Sequence, residues 1–339
     1  MTAPLMKRER LARTVQGRPV DRLPVALWRH FHAQEASREG LVAAMRQWQK
    51  TYDWDFLKIN PRASYHVEDW GNQYTFSGID HVPPALVKAS VHRPDDFQHL
   101  DRLDPTGAAG RRSPVLADHL AAVSDLRRAL GDAMPLLMTV FTPMSIAADL
   151  AGGPQALANL IREGAAMVHV GLRTITDTFK DFAARCLGAG ADGIFLATTQ
   201  TATLANFTAD QYAEFGRPYD LEILAATRSA PLNLLHVCQG RSMVRDLADY
   251  PVAMLNWDMA DPSNPTLDQM ALAAPAKALV GGVDPKLFPD GTARGRLLDQ
   301  VEASRKAMGR RPFVLGSTCT IDATSDPEMV LALRGAAEQ

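Results

Sequence analysis

The stretch LLHVCQG, from Leu234 to Gly240, closes an apolar run that begins at Pro231. A run of that length, bounded by Pro231 and by Gln239-Gly240, reads as a buried strand. His236 and Cys238 stand at its end. Side chains two apart on a strand point to the same side, so an imidazole and a thiol face one way where the strand gives out. A second buried run, Phe313 to Gly316, ends likewise at Ser317-Thr318-Cys319. If both strands belong to one parallel sheet, the three groups meet at one rim. One His and two Cys leave a fourth position open, which is the coordination of a catalytic zinc; structural zinc sites close that position with protein.

Working outward, strands and helices alternate. Strands are expected at Leu23–Trp28, Asp55–Asn60, Pro135–Phe141, Gly193–Thr199, 231–238, Val252–Trp257, Leu279–Val283 and Phe313–Gly316. Helices are expected at 41–51, Asp118–Leu130, Pro143–Leu150, Ala209–Arg228 with a break at Pro218, 242–249, Leu267–Ala274, Ala293–Met308 and Glu328–Ala337. Two more should fill Pro154–Leu187, broken near His169, and KRERLARTV near the N-terminus reads as a short exposed helix. Eight strand–helix units imply a parallel sheet closed as a single (β/α)8 TIM-type barrel, α/β in class, with its active site at the C-terminal strand ends. The whole of residues 1–339 is read as one domain. Residues 65–105, rich in Gly, Asp, Pro and aromatics, hold too few apolar residues for a core of their own. They read as an insertion after the second strand that forms part of the pocket wall.

The composition narrows the function classes. A chain of 339 residues, 46% hydrophobic, can bury a large core, and a formal charge of −2 gives no electrostatic case for nucleic acid. No window has the apolar length of a membrane span, and MTAPLMKRERLARTVQG lacks the apolar core of a signal peptide. Three cysteines do not make a disulfide framework; in a reducing cytoplasm, the expected location, spaced Cys and His more often mean metal or catalysis.

Other candidates follow the strand ends. Asp258 and Asp284 end the sixth and seventh strands, where barrel carboxylates are often functional, although turn and cap roles fit them equally. Arg29, His30 and His32 follow the first strand, as anion-binding groups or as a solvated loop. Asn60, Arg62, Tyr65 and His66 follow the second and are pocket candidates. Lys58 points the same way as Asn60 and reads as a snorkelling side chain. Cys186, Trp54, Trp70 and Tyr74 read as packing.

Several segments, in order, resemble the uroporphyrinogen decarboxylase superfamily: RPVDRLPVALWR, FTPMSIAADLAGG, LGAGADGIFLATT, LLHVCQG, the strand ending in NWDMAD, and GGVDP. The resemblance covers nearly the whole chain and implies a distorted (β/α)8 barrel. The superfamily's decarboxylases keep a carboxylate at the end of the second strand, where this chain has Asn60. They carry a second Arg where it has Ala33, and a His near the last strand where it has Cys319. Its cobamide-dependent methyltransferases, such as those that methylate coenzyme M, carry His-x-Cys and a distant Cys. That pattern is met by His236, Cys238 and Cys319, and the resemblance makes these the zinc ligands. It implies a zinc-dependent transfer of a methyl group between a corrinoid (cobalamin) and a thiol or similar small acceptor. No Asp-x-His-x-x-Gly segment is present, so the corrinoid would arrive on a partner protein or free. A homodimer is a further expectation. Two alternatives remain: a decarboxylase of a porphyrinogen or other polyacid, and a metal-binding, non-catalytic member.

Overall fold

The computed structural model describes residues 4–338. Among them, eight parallel strands form one sheet: β1 (Val25–Ala26), β2 (Leu57–Ile59), β3 (Leu136–Phe141), β4 (Gly193–Ala197), β5 (Leu234–Val237), β6 (Met254–Trp257), β7 (Ala278–Val283) and β8 (Phe313–Ser317). Helices α1 (Lys7–Val15), α2 (Arg38–Tyr52), α3 (Pro114–Leu130), α4 (Pro143–Leu150), α5 (Pro154–Gly188), α6 (Ala209–Phe215), α7 (Arg217–Ala226), α8 (Leu267–Ala273), α9 (Arg294–Met308) and α10 (Pro327–Ala336) surround it. The spatial order, β1-β8-β7-β6-β5-β4-β3-β2, winds the sheet into a nearly closed barrel.

Closure fails only between β1 and β2, which share no ladder. Asp55 bridges the gap. Its amide donates to the Val25 carbonyl at 2.9 Å, and its carboxylate accepts from the Val25 amide at 2.8 Å. Arg10 (2.6 Å) and Arg22 (2.7 Å) neutralise that carboxylate, which is fully buried. So α1 is not the exposed helix expected from KRERLARTV. Arg10, Leu11 and Thr14 are buried beneath the barrel.

Alternation along the strands sets the interior. Ala26, Phe56, Leu137, Phe195, Leu234, Met254, Val280 and Val314 pack together with Leu11 as one apolar cluster. They lie at alternate positions, as side chains filling a barrel must. Continuing the alternation upward, within and just past the strands, brings Lys58 and Asn60 at the end of β2, His236 and Cys238 at the end of β5, and Asn256 and Asp258 at the end of β6 to the same inward side. The lower barrel is therefore oil and the upper rim polar. A second, larger cluster fills the space between barrel and helices and takes in Cys186, Trp54 and Trp70.

Three helix expectations change. First, α5 is continuous through His169 and is instead kinked at Gly164, whose backbone is extended. There the insertion's Pro94 comes so close that a Cβ on Gly164 would lie 2.5 Å from it. Second, the break between α6 and α7 falls at Gly216, with Pro218 inside the first turn of α7, where its missing N–H costs nothing. Third, residues 242–249 form turns, not a helix. Leu204 and Met243 amides bond across to the Arg241 and Ala202 carbonyls, which ties the segment to the loop after β4 and leaves too little chain before Pro251 for a helix. The insertion itself holds an antiparallel pair, Gln73–Thr75 with Ala85–Lys88, and turns at Glu68–Trp70 and Pro94–His99.

Candidate metal centre

His236 sits in the ladder of β5, opposite Asn256 of β6 and Ala197 of β4. Cys238 lies just past the strand end. The backbone then turns sharply: Gln239 and Arg241 both take left-handed φ values (75° and 51°), and between them a Cβ on Gly240 would fall 2.3 Å from the Asp261 carboxylate. Left-handed backbone at non-glycine residues costs about 1–3 kcal/mol each and concentrates at functional sites. The turn holds Cys238 facing inward while the chain departs. Across the mouth, Cys319 follows the end of β8.

These placements converge. Cys238 Sγ lies 3.4 Å from Cys319 Sγ, and Cys319 Sγ 3.7 Å from His236 Nε2. One donor atom from each residue falls within 4.8 Å of the others. Around a tetrahedral zinc with Zn–S of about 2.3 Å and Zn–N of about 2.0–2.1 Å, donors would lie about 3.5–3.8 Å apart. The observed spacing is close to that. Hydrogen bonding from Cys238 to the Cys319 sulfur holds Cys319 well below the usual thiol range, with His236 adding to it, and the same contact pushes Cys238 up. A metal ligates cysteine as the thiolate, and a lowered pKa favours that form.

His236 is oriented by Asn256, whose Oδ1 lies 2.5 Å from His236 Nδ1 while its Nδ2 donates to the carbonyls of Val280 and Ser317. With Nδ2 committed to two carbonyls, Oδ1 can only accept, so Nδ1 carries the proton and Nε2 presents its lone pair. Sequence reading passed over Asn256, although it precedes Asp258 by two residues in NWDMAD and shares its face by simple alternation.

A cavity of about 190 Å³ lies over the three donors, walled by Phe141, Phe195, Lys58, His30 and Gln200 among others. Lys58 does not snorkel to solvent. It is buried, makes no hydrogen bond among the described residues, and holds its ammonium 4.7 Å from the centre of the Phe195 ring. Burial pushes its pKa down to about 7, against the pull of Cys319 and Glu35. Asn60, two residues on, is 1% exposed, and neither atom of its amide has a partner among the described residues.

The remaining candidates scatter. Asp258 accepts from Thr318 Oγ1 at 3.2 Å beside the centre, and burial, then Cys319, raises its carboxyl. Asp284 caps the following turn through the Lys286 amide and borders a separate cavity with Thr318. Arg29 is engaged by Asp80 and the Ala323 carbonyl, facing an outer groove beside α2. Arg62 pairs with Glu68. Tyr65 is buried and donates to the Thr139 carbonyl, and His66 pairs with Asp149. His30 and His32 gather around Glu35, a buried carboxylate that sequence reading had no local signal to find.

A family model described as uroporphyrinogen decarboxylase (URO-D) matches residues 6–339, and the chain belongs to that family. Among solved structures, the chain is similar to a methyltransferase from Methanosarcina mazei, with a TM-score of 0.82, 18% identity and 98% of each chain covered. It is also similar to a B12-independent methionine synthase from Shewanella sp. W3-18-1, with a TM-score of 0.58, 11% identity and 94% of each chain covered. At these identities the likeness is one of fold. No curated protein sequence matches. Among the described residues, no helix is long and apolar enough to cross a membrane.

Proposed function

We propose that this chain is a zinc-dependent methyltransferase that moves a methyl group between a corrinoid and a small thiol. The observation that carries the reading is the convergence of His236, Cys238 and Cys319 to within 4.8 Å from the ends of β5 and β8. His236 would ligate through Nε2, with Asn256 fixing its tautomer, and Cys238 and Cys319 would ligate as thiolates. A zinc ion held there supplies an open position that binds a thiol as its thiolate near neutral pH.

The other residues shape what reaches that position. A cavity of about 190 Å³ suits a small acceptor and is far too small for a corrinoid ring, which would present its methyl group from outside, on a partner protein or free. Phe141 and Phe195 line the cavity with apolar rings, which would keep water from a sulfur held there. Lys58 is a buried amine without a carboxylate partner among the described residues, and as a cation it would hold an anionic group on the acceptor or neutralise the thiolate itself. Decarboxylation of a tetrapyrrole fits less well, because Asn60 offers no charge to gathered pyrrole N–H groups and the cavity cannot enclose four rings.

The test is metal analysis of protein purified under reducing conditions, followed by transfer from methylcobalamin to homocysteine or coenzyme M. One zinc per chain with thiol methylation is expected. Protein that neither carries zinc nor takes it up would end this reading.

A further inference from the structure

His30 and His32 stand two positions apart in the chain just after β1, and their rings stack with centroids 4.9 Å apart and planes tilted by 10°. Glu35 lies beneath both. Its Oε1 is 3.1 Å from His32 Nδ1 and accepts from the Ala63 amide at 2.9 Å, while its Oε2 is 3.5 Å from His30 Nδ1. Neither His30 Nδ1 nor Glu35 Oε2 has a hydrogen-bond partner within normal range among the described residues.

Two His and one Glu at such spacing resemble a metal set, but the nearly parallel rings do not favour one. A metal ion lies in the plane of each imidazole it binds, and two nearly parallel, stacked planes have no such point in common. The carboxylate instead lies on the Nδ1 side of both rings, within hydrogen-bond reach of His32 and 3.5 Å from His30. A proton drawn to Nδ1 by that carboxylate would leave Nε2 of His30 with its lone pair. Its Nδ1 contact is loose, as such contacts often are before substrate binds.

Position gives that lone pair a use. His30 borders the small cavity over His236, Cys238 and Cys319, and also a second cavity of about 520 Å³ that His32 and His81 border. It stands between the reaction chamber and an outer space.

We infer that His30 takes the proton of the acceptor thiol as the thiol enters the inner cavity, and passes it to the outer one, with Glu35 as its positioning residue. This rests on the methyltransferase reading above. The S–H bond breaks, its electron pair stays on sulfur, and an N–H bond forms at Nε2 of His30. The imidazolium so formed is balanced by Glu35 and gives its proton to water in the outer cavity. Burial first, with Lys58 and His32 in support, lowers the pKa of His30 despite Glu35, which favours the neutral ring. Glu35 stays ionised: burial pushes its carboxyl up, but His30 and His32 outweigh it and bring it to about 2. His81, Lys286 and Asp322 also border the outer cavity.

Two measurements test this. In metal-free protein with labelled imidazoles, NMR should show His30 protonated at Nδ1, and Glu35→Gln should change its titration; an Nε2–H tautomer overturns the proposal. In zinc-loaded protein, His30→Ala should keep one zinc per chain, lose about 10²–10⁴-fold in kcat/KM for the thiol, and regain activity with added imidazole. The acidic limb of the wild-type pH profile should vanish in this variant. If wild type turns over and His30→Ala keeps that limb, or if Lys58→Met alone removes it, the proposal fails by itself. If zinc-loaded wild type methylates no thiol, the underlying reading fails and the proposal with it.

Discussion

The chain through β2 buries two ionisable side chains, Asp55 just before the strand and Lys58 within it, and treats them in opposite ways. Below it, the Asp55 carboxylate takes hydrogen bonds from two guanidinium groups and a backbone amide, so each oxygen is occupied. Within the strand, the Lys58 amine has no hydrogen-bond acceptor among the described residues, only the face of Phe195. Burying a charge costs several kcal/mol unless partners are supplied. The lower charge is fully compensated and serves structure. The upper one is left short by the protein, and a group from outside can make up the difference. Asn60 and the Glu35–His30 pair repeat the pattern at the rim. Saturation, more than burial or residue type, separates the part of the barrel that holds the fold from the part available for chemistry.

Four measurements sharpen or break that contrast. The largest effect belongs to the rim. Cys319→Ser should take zinc from one per chain to none and abolish methyl transfer. Stripped of metal, wild type and variant should melt together, because a scaffold of this size folds without the ion. A collapse of the fold in this variant would mean that the centre is structural.

Asp55→Asn should do the reverse. Removing one partner of a buried ion cluster costs about 3–5 kcal/mol, which urea denaturation would detect, while zinc content stays at one per chain. Loss of metal without loss of stability would dissolve the distinction between the two groups.

Asn256→Ala acts between these extremes. It frees the tautomer of His236 without removing a ligand, so zinc affinity in a competition titration should fall by about 10–100-fold. An unchanged affinity would show that the strand ladder alone orients the ring.

The smallest effect concerns a buried carboxylate with no cation bonded to it. Asp220 accepts from the hydroxyls of Tyr212 and Tyr250, and burial pushes its pKa up to about 7, against those hydroxyls. The native state therefore keeps this proton up to about neutral pH, whereas the unfolded chain releases it near pH 3.9. Between these values the native state binds the extra proton, so this group's share of the stability falls as pH rises towards 7 and beyond. Relative to Asp220→Asn, wild type should lose stability between pH 4 and 8. Parallel curves for the two proteins would show that Asp220 is ionised throughout.

Much of this was legible in the sequence, for local reasons. The eight strands are short apolar runs punctuated by Pro and Gly, and burial of parallel strands on both faces writes that pattern directly. His236 and Cys238 could be paired because alternation is a strict period of two. What escaped depends on contacts between distant segments. The kink at Gly164 is set by Pro94, and the helix expected at 242–249 is unmade by bonds to the loop after β4. Asn256 acts through its register opposite His236, and Glu35 through the rotamers of two histidines. Alternation from Asp258 gives Asn256 its face but not its partner His236, and Glu35 follows the two histidines with nothing in the local pattern to mark the contact.

The gap between β1 and β2 has a genetic consequence. Along the rest of the barrel, neighbouring strands are joined by backbone groups, which every residue except proline supplies, so almost any codon preserves the join. Between the first and second strands one of the two bonds of the join is made by the side chain of Asp55, and a single base change can delete it. The rest of the wall is inherited with the polypeptide itself, while its closure is heritable information at one position, open to mutation and to selection.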